Sequence, residues 1–132
     1  MKLNELESHV LAYFLSNDAL DFSIDPRFHE RRIFVEMFED RIYFGTRNFS
    51  KAIGGRHPNV ANELVDSLIE SQALSTTTDQ FTGVAHKFDS GKYRACIQRL
   101  IDTNEICQRA RARGPQFWEE TFARLGNGSG VV

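Results

Sequence analysis

The sequence predicts a mainly α-helical domain that carries one small β-hairpin. Three observations predict it. Apolar residues recur every third or fourth position in separate segments, from Leu3–Phe14 to Phe117–Leu125, which is the spacing of one buried helix face. The pair Gly54-Gly55 is followed closely by Pro58, a stop and a restart between two helices. Ser75–Thr78 is rich in β-branched residues, and Asp79 and Gly83 frame a turn before a second short run, Val84–Phe88, which is the pattern of a hairpin.

Taken in order, Asn4 caps a first helix from about Glu5 to Ser16, with Leu3, Leu6, Val10, Tyr13 and Phe14 as its apolar stripe. Residues 1–25 hold one Lys against Glu5, Glu7, Asp18, Asp21 and Asp25, so this end is net −4 and faces away from any polyanion. Asp25-Pro26 is a helix start, with Asp as cap and Pro at the first position. The segment it opens has two readings. A helix from Pro26 to about Asp40 groups Phe34, Met37 and Phe38; a hairpin would pair Ile33–Phe38 with Arg41–Phe44 around Glu39-Asp40. The helix is preferred. Ile42-Tyr43-Phe44 is assigned to a short strand joining the later hairpin, closed by Gly45.

Thr46 is the expected N-cap of a short helix containing Phe49, Ala52 and Ile53, and Gly54-Gly55 ends it. A second helix runs from Pro58 to about Ser71, with Ala61, Leu64, Val65, Leu68 and Ile69 on one face. Lys92 to about Arg113 is the longest periodic segment. Its seam is Tyr93, Cys96, Ile97, Leu100, Ile101, Asn104, Cys107 and Ala110, and Gly114-Pro115 stops it. A last helix, Gln116–Leu125, brings Phe117, Trp118, Thr121 and Phe122 to one side. Residues 126–132 are expected to be a flexible glycine-rich tail.

The 132 residues, with a hydrophobic fraction of 41% and eleven Phe, suit one core and one domain, residues 1–125. A net charge of −2 excludes a globally basic, DNA-coating protein but leaves room for a local basic face. Cys96 and Cys107 would lie about 16 Å apart on one helix, too far for a disulfide. They are expected to be reduced thiols in a cytoplasmic protein. No run is long and apolar enough to span a membrane, and the acidic Glu5 and Glu7 argue against a signal peptide.

Between residues 42 and 88 the chain resembles the winged helix-turn-helix superfamily. Ala52-Ile53-Gly54 matches the small residue, branched residue and turn glycine. Ala61, Leu64, Val65 and Leu68 match the recognition helix, with a turn one residue longer than usual. Ala73-Leu74 matches the entry to the wing. The resemblance implies a helix-turn-helix over 47–72, a wing over 73–88, and C-terminal helices over 92–125. It points to no particular family.

The resemblance makes double-stranded DNA the expected partner, bound by a small dimeric transcriptional regulator without cofactor. Arg41–His57 holds four bases (Arg41, Arg47, Lys51, Arg56) and no acid. Arg47, Lys51, Arg56 and His57 would flank the recognition helix, Asn59 and Asn62 would read adenine edges, and Lys87 on the wing would meet the backbone. The same helix argues against this. Pro58–Gln72 has Glu63, Asp66 and Glu70 and no base, and phosphates repel carboxylates. The alternative is a protein-interaction module on the same scaffold. Lys92–Arg113 is net +4, and its apolar seam is interrupted by Asn104, as in paired helices whose register a buried Asn sets. Cys96, Leu100, Asn104, Cys107, Trp118 and Phe122 are therefore the expected homodimer interface, against ordinary packing within the chain.

No enzyme is predicted. Neither Cys sits near a helix start that would favour its thiolate. Gly54-Gly55 lacks the Gly-Lys-Ser/Thr ending of a phosphate loop. Asp21, Asp25 and His29 are four apart, but Pro26 prevents one helix from carrying all three, so no metal site is expected.

Overall fold

The computed structural model describes residues 3–47, 54–81 and 83–130. Among these the chain forms six α-helices and one antiparallel hairpin: α1 (Glu5–Asn17), α2 (Arg31–Arg47), α3 (Pro58–Glu70), β1 (Leu74–Asp79), β2 (Gly83–Phe88), α4 (Ser90–Thr103), α5 (Glu105–Arg113) and α6 (Gln116–Gly130). A single 3-10 turn, Ala19–Asp21, follows α1. The fold class is therefore mainly α with a small β-hairpin.

Asn4 starts α1 with a reciprocal capping box. Its side chain accepts from the Glu7 amide at 2.8 Å, and the Glu7 carboxylate accepts from the Asn4 amide at 3.0 Å, so two helix-end donors are satisfied locally.

In α2 the helical reading prevails over the hairpin. Phe34, Phe38, Ile42 and Thr46 are buried while Glu36, Asp40 and Phe44, midway between them, are exposed; a strand would put all seven on one face. The predicted boundaries need correction at both ends. The helix starts at Arg31 and not Pro26, because His29 is held extended: it exchanges both backbone hydrogen bonds with His86 of β2, at 2.9 and 2.8 Å. The residue that joins the hairpin is thus His29. Ile42-Tyr43-Phe44 is helix, not strand, and Thr46 is not an N-cap. Its hydroxyl donates to the Ile42 carbonyl at 2.8 Å from within α2. Of the short helix expected after Thr46, residues 48–53 lie outside the described residues.

Gly55 turns the chain at φ +134, a backbone conformation that residues with a Cβ adopt only under strain. Pro58 then takes the first position of α3. Val60, Ala61, Leu64, Val65 and Leu68 bury one face of that helix. The hairpin register pairs Leu74 with Phe88, Thr76 with His86 and Thr78 with Val84. Thr82 lies outside the described residues.

The long C-terminal helix of the sequence reading is two helices. Asn104 is extended (φ −80, ψ 120), ending α4 and capping α5 through its side chain, which accepts from the Cys107 amide at 2.9 Å. Gln108 donates to the carbonyls of Ile101 and Asp102 at 2.9 and 3.1 Å, so acceptors freed by the break stay satisfied. Gly114 (φ +78) and Pro115 end α5. Helix α6 continues past Leu125 to Gly130, where a flexible tail was expected; once a helix is nucleated, each added residue closes one more backbone bond.

One hydrophobic cluster runs through all these elements. Tyr93 lies at its centre, its ring 5.0 Å from Phe88 and 6.1 Å from Phe38, its hydroxyl donating to the Ala19 carbonyl. Burial raises its pKa. Tyr13 of α1 meets Trp118 and Phe122 of α6 edge-on, at 5.2 and 5.4 Å.

Candidate functional site

The helix pair α2–α3 and the hairpin behind it carry the residues of interest. Arg47 ends α2 with its guanidinium 5.6 Å over the Tyr43 ring, and Arg56 approaches the same ring at 4.7 Å. The corner before α3 therefore gathers two of the predicted cations. Arg56 is also ion-paired with Asp40, and with Glu39 at 3.8 Å. These α2 carboxylates neutralise much of the charge that a phosphate would meet. Their pull, the Asp40 hydrogen bond first, raises the Arg56 pKa. Lys51 lies outside the described residues. His57 occupies the N-cap position of α3 without a side-chain cap bond.

The two asparagines expected to read bases are hydrogen-bonded within the chain, Asn59 from an exposed position and Asn62 from a half-buried one. Asn59 donates to the Glu7 carboxylate of α1 at 2.9 Å. Asn62 donates to the Pro58 carbonyl at 2.8 Å and accepts from Arg31 at 2.9 Å. Arg31 also grips Asp66 with two nitrogens, at 2.7 and 3.2 Å, and the Asn62 carbonyl at 3.3 Å. One arginine of α2 thus clamps the exposed side of α3, two of its nitrogens converging on a single Asp66 oxygen. Sequence reasoning missed it. The i, i+4 spacing of Asn62 and Asp66 was available, but the α2 boundary that delivers Arg31 depends on the distant His86.

On the hairpin, Lys87 projects over Phe28, its ammonium 5.9 Å from the ring. Phe28 falls opposite Lys87 because His29 pairs with His86. At the tip, Phe81 is 86% exposed and Val84 52% exposed. These two apolar residues were not singled out in the sequence, although a large aromatic inside a predicted turn is itself a signal, since it has no core to enter. His86 is buried, and burial, helped by Arg31, lowers its pKa.

The residues proposed for a dimer seam lie elsewhere. Cys96, Cys107, Trp118 and Phe122 are buried in the chain's own cluster, with Leu100 packed against it. Asn104 serves as the cap between α4 and α5. The seam of a single long helix therefore has no counterpart: the break at Asn104 turns its second half back onto α1. Both cysteines are free thiols. Among the described residues no group of three His, Cys, Asp or Glu side chains could hold a metal ion, and no helix is long and apolar enough to cross a membrane. No family model matches the chain, and no curated protein or solved structure matches it significantly.

Proposed function

We propose that the chain is a winged-helix-type interaction module, which docks a protein partner through the hairpin tip and the acidic side of α3. The element order supports the winged-helix reading: α2, a glycine corner, α3, then β1 and β2 as the wing. One observation carries the choice of partner. The side chains that would read bases on α3 are engaged within the chain, Asn59 by Glu7 and Asn62 by Arg31 and Pro58. The charged side chains that α3 exposes to solvent are Glu70 and Asp66, the latter paired with Arg31 of α2, and the helix carries no base of its own. A major groove lined by phosphates repels that surface. A protein carrying basic residues beside an apolar pocket complements it, with Phe81 and Val84 as anchors.

DNA binding is the second reading, and a specific feature favours it. Arg47 and Arg56 both reach Tyr43 beside the start of α3, where unpaired helix amides also attract phosphate. Contact would then be to backbone rather than to base edges, with Lys87 as a further cation.

Gel retardation of a mixed-sequence duplex separates the two. The interaction reading expects no shift at low salt. Capture of a partner from the native proteome should be lost on Phe81→Ser and Glu70→Lys but kept on Arg56→Ala. A shift that weakens steeply with salt and falls on Arg56→Ala would establish the DNA reading instead.

A further inference from the structure

A cavity of about 600 Å3 lies where α1, α4, α5 and α6 converge, away from the wing. That volume is in the range of about 300–1,000 Å3 found for small-molecule sites. The break at Asn104 creates it. Turning there brings α5 against α1, so that the Cys107 sulfur accepts from the Ser16 hydroxyl at 3.3 Å and lies 3.5 Å from the Ala12 carbonyl. The entry to α6 then adds Trp118 to the lining.

The lining divides by chemistry. Leu20, Ile101, Ala110 and Trp118 form an apolar body. Cys107 adds an uncharged thiol, since burial raises its pKa against the opposing Ser16 hydrogen bond. Two charges complete the lining, Arg111 from α5 and Glu119 from α6. Arg111 is only loosely held: it pairs with Asp102 at 3.9 Å, and the same Asp102 oxygen already accepts from Gln98 at 3.1 Å. A guanidinium with unspent donors beside an apolar wall suits a carboxylate that carries a hydrophobic body.

We propose that this cavity binds a small monocarboxylic acid with an aromatic or alicyclic body, the ring against Trp118 and Ile101 and the carboxylate on Arg111. Glu119 sets the charge selectivity. It repels a second carboxylate, so the site discriminates against diacids.

The test uses the full chain and three probes that are transparent where tryptophan emits: adamantanecarboxylate, the neutral adamantanemethanol, and adamantane dicarboxylate. Trp118 is the only tryptophan, so its emission reports the site alone. Cys107 lines the cavity and Cys96 does not, so alkylation of the two thiols, followed by mass spectrometry, gives an internal reference. The monoacid should change Trp118 emission saturably and slow alkylation of Cys107 without slowing that of Cys96. Arg111→Gln, an exposed position, should weaken the monoacid by about tenfold or more, as expected for a lost charged hydrogen bond, and leave the alcohol unchanged. Glu119→Gln should improve the diacid. No saturable response to the monoacid would overturn the proposal, as would equal affinity for acid and alcohol in the native chain and in Arg111→Gln.

Discussion

Gln72 holds the left-handed backbone conformation, φ +64, at the exit of α3, with its amide donating to the Ile69 carbonyl at 3.1 Å. A side chain there costs roughly 1–2 kcal/mol, and glycine removes the clash while giving back some chain entropy. Gln72→Gly should therefore raise stability by up to about 1 kcal/mol, read as a higher urea midpoint at unchanged slope. His86 makes the opposite kind of demand. Burial, and then Arg31, lowers its folded-state pKa, so the unfolded chain takes up the proton first as pH falls through about 6.5. The unfolded state then binds more protons than the folded one, and stability drops across the window between the two values. Above that window the full stability is present; below it the loss is complete. Urea titrations from about pH 8 to about pH 5 should show this fall, and His86→Gln should flatten it. A variant with the same pH slope as the native chain would assign the effect to other groups.

Asn104 decides the arrangement of the C-terminal elements. As the cap of α5 it should be worth about 1 kcal/mol, so Asn104→Ala should lower the unfolding free energy by that amount without altering sedimentation. A register-setting Asn in a paired helix would instead change the assembly state. The contrast marks how far the elements were legible in the sequence. Local signals were readable: the Asn4 cap, Pro58 opening α3, and both hairpin strands depend on residues within a turn or two of one another. The start of α2 was not, because it waits on backbone pairing between His29 and His86, which no local pattern encodes. The break at Asn104 was hidden for another reason. Its seam keeps helical spacing on both sides, and periodicity does not distinguish one helix from two that share a cap. The candidate site was legible as composition only: the cations at the corner and the asparagines of α3 were visible, but their partners, Asp40 of α2 for Arg56 and Glu7 of α1 for Asn59, come from other elements. The cavity beside Trp118 was invisible for the same reason, being made by four separate elements.

At the scale of the whole molecule, the question is what α6 packs against. A helix reserved for a second copy would keep its aromatic side chains at the surface of the monomer. Here Phe117, Trp118 and Phe122 are buried in the common cluster, two of them against Tyr13. Burying a large apolar side chain is worth about 1.5–3 kcal/mol, so three of them contribute about 5–9 kcal/mol, comparable with the whole stability of a domain, about 5–15 kcal/mol. Ending the chain after Gly114 should therefore abolish the cooperative thermal transition and expose Tyr13, giving a molten or aggregating product by circular dichroism. A dimerisation helix would predict the reverse, a folded and monomeric remainder. The intact chain supplies the complementary measurement. If its aromatic residues are spent internally, its melting midpoint should not move over about a hundredfold range of protein concentration, whereas coupling of folding to self-association makes that midpoint rise with concentration.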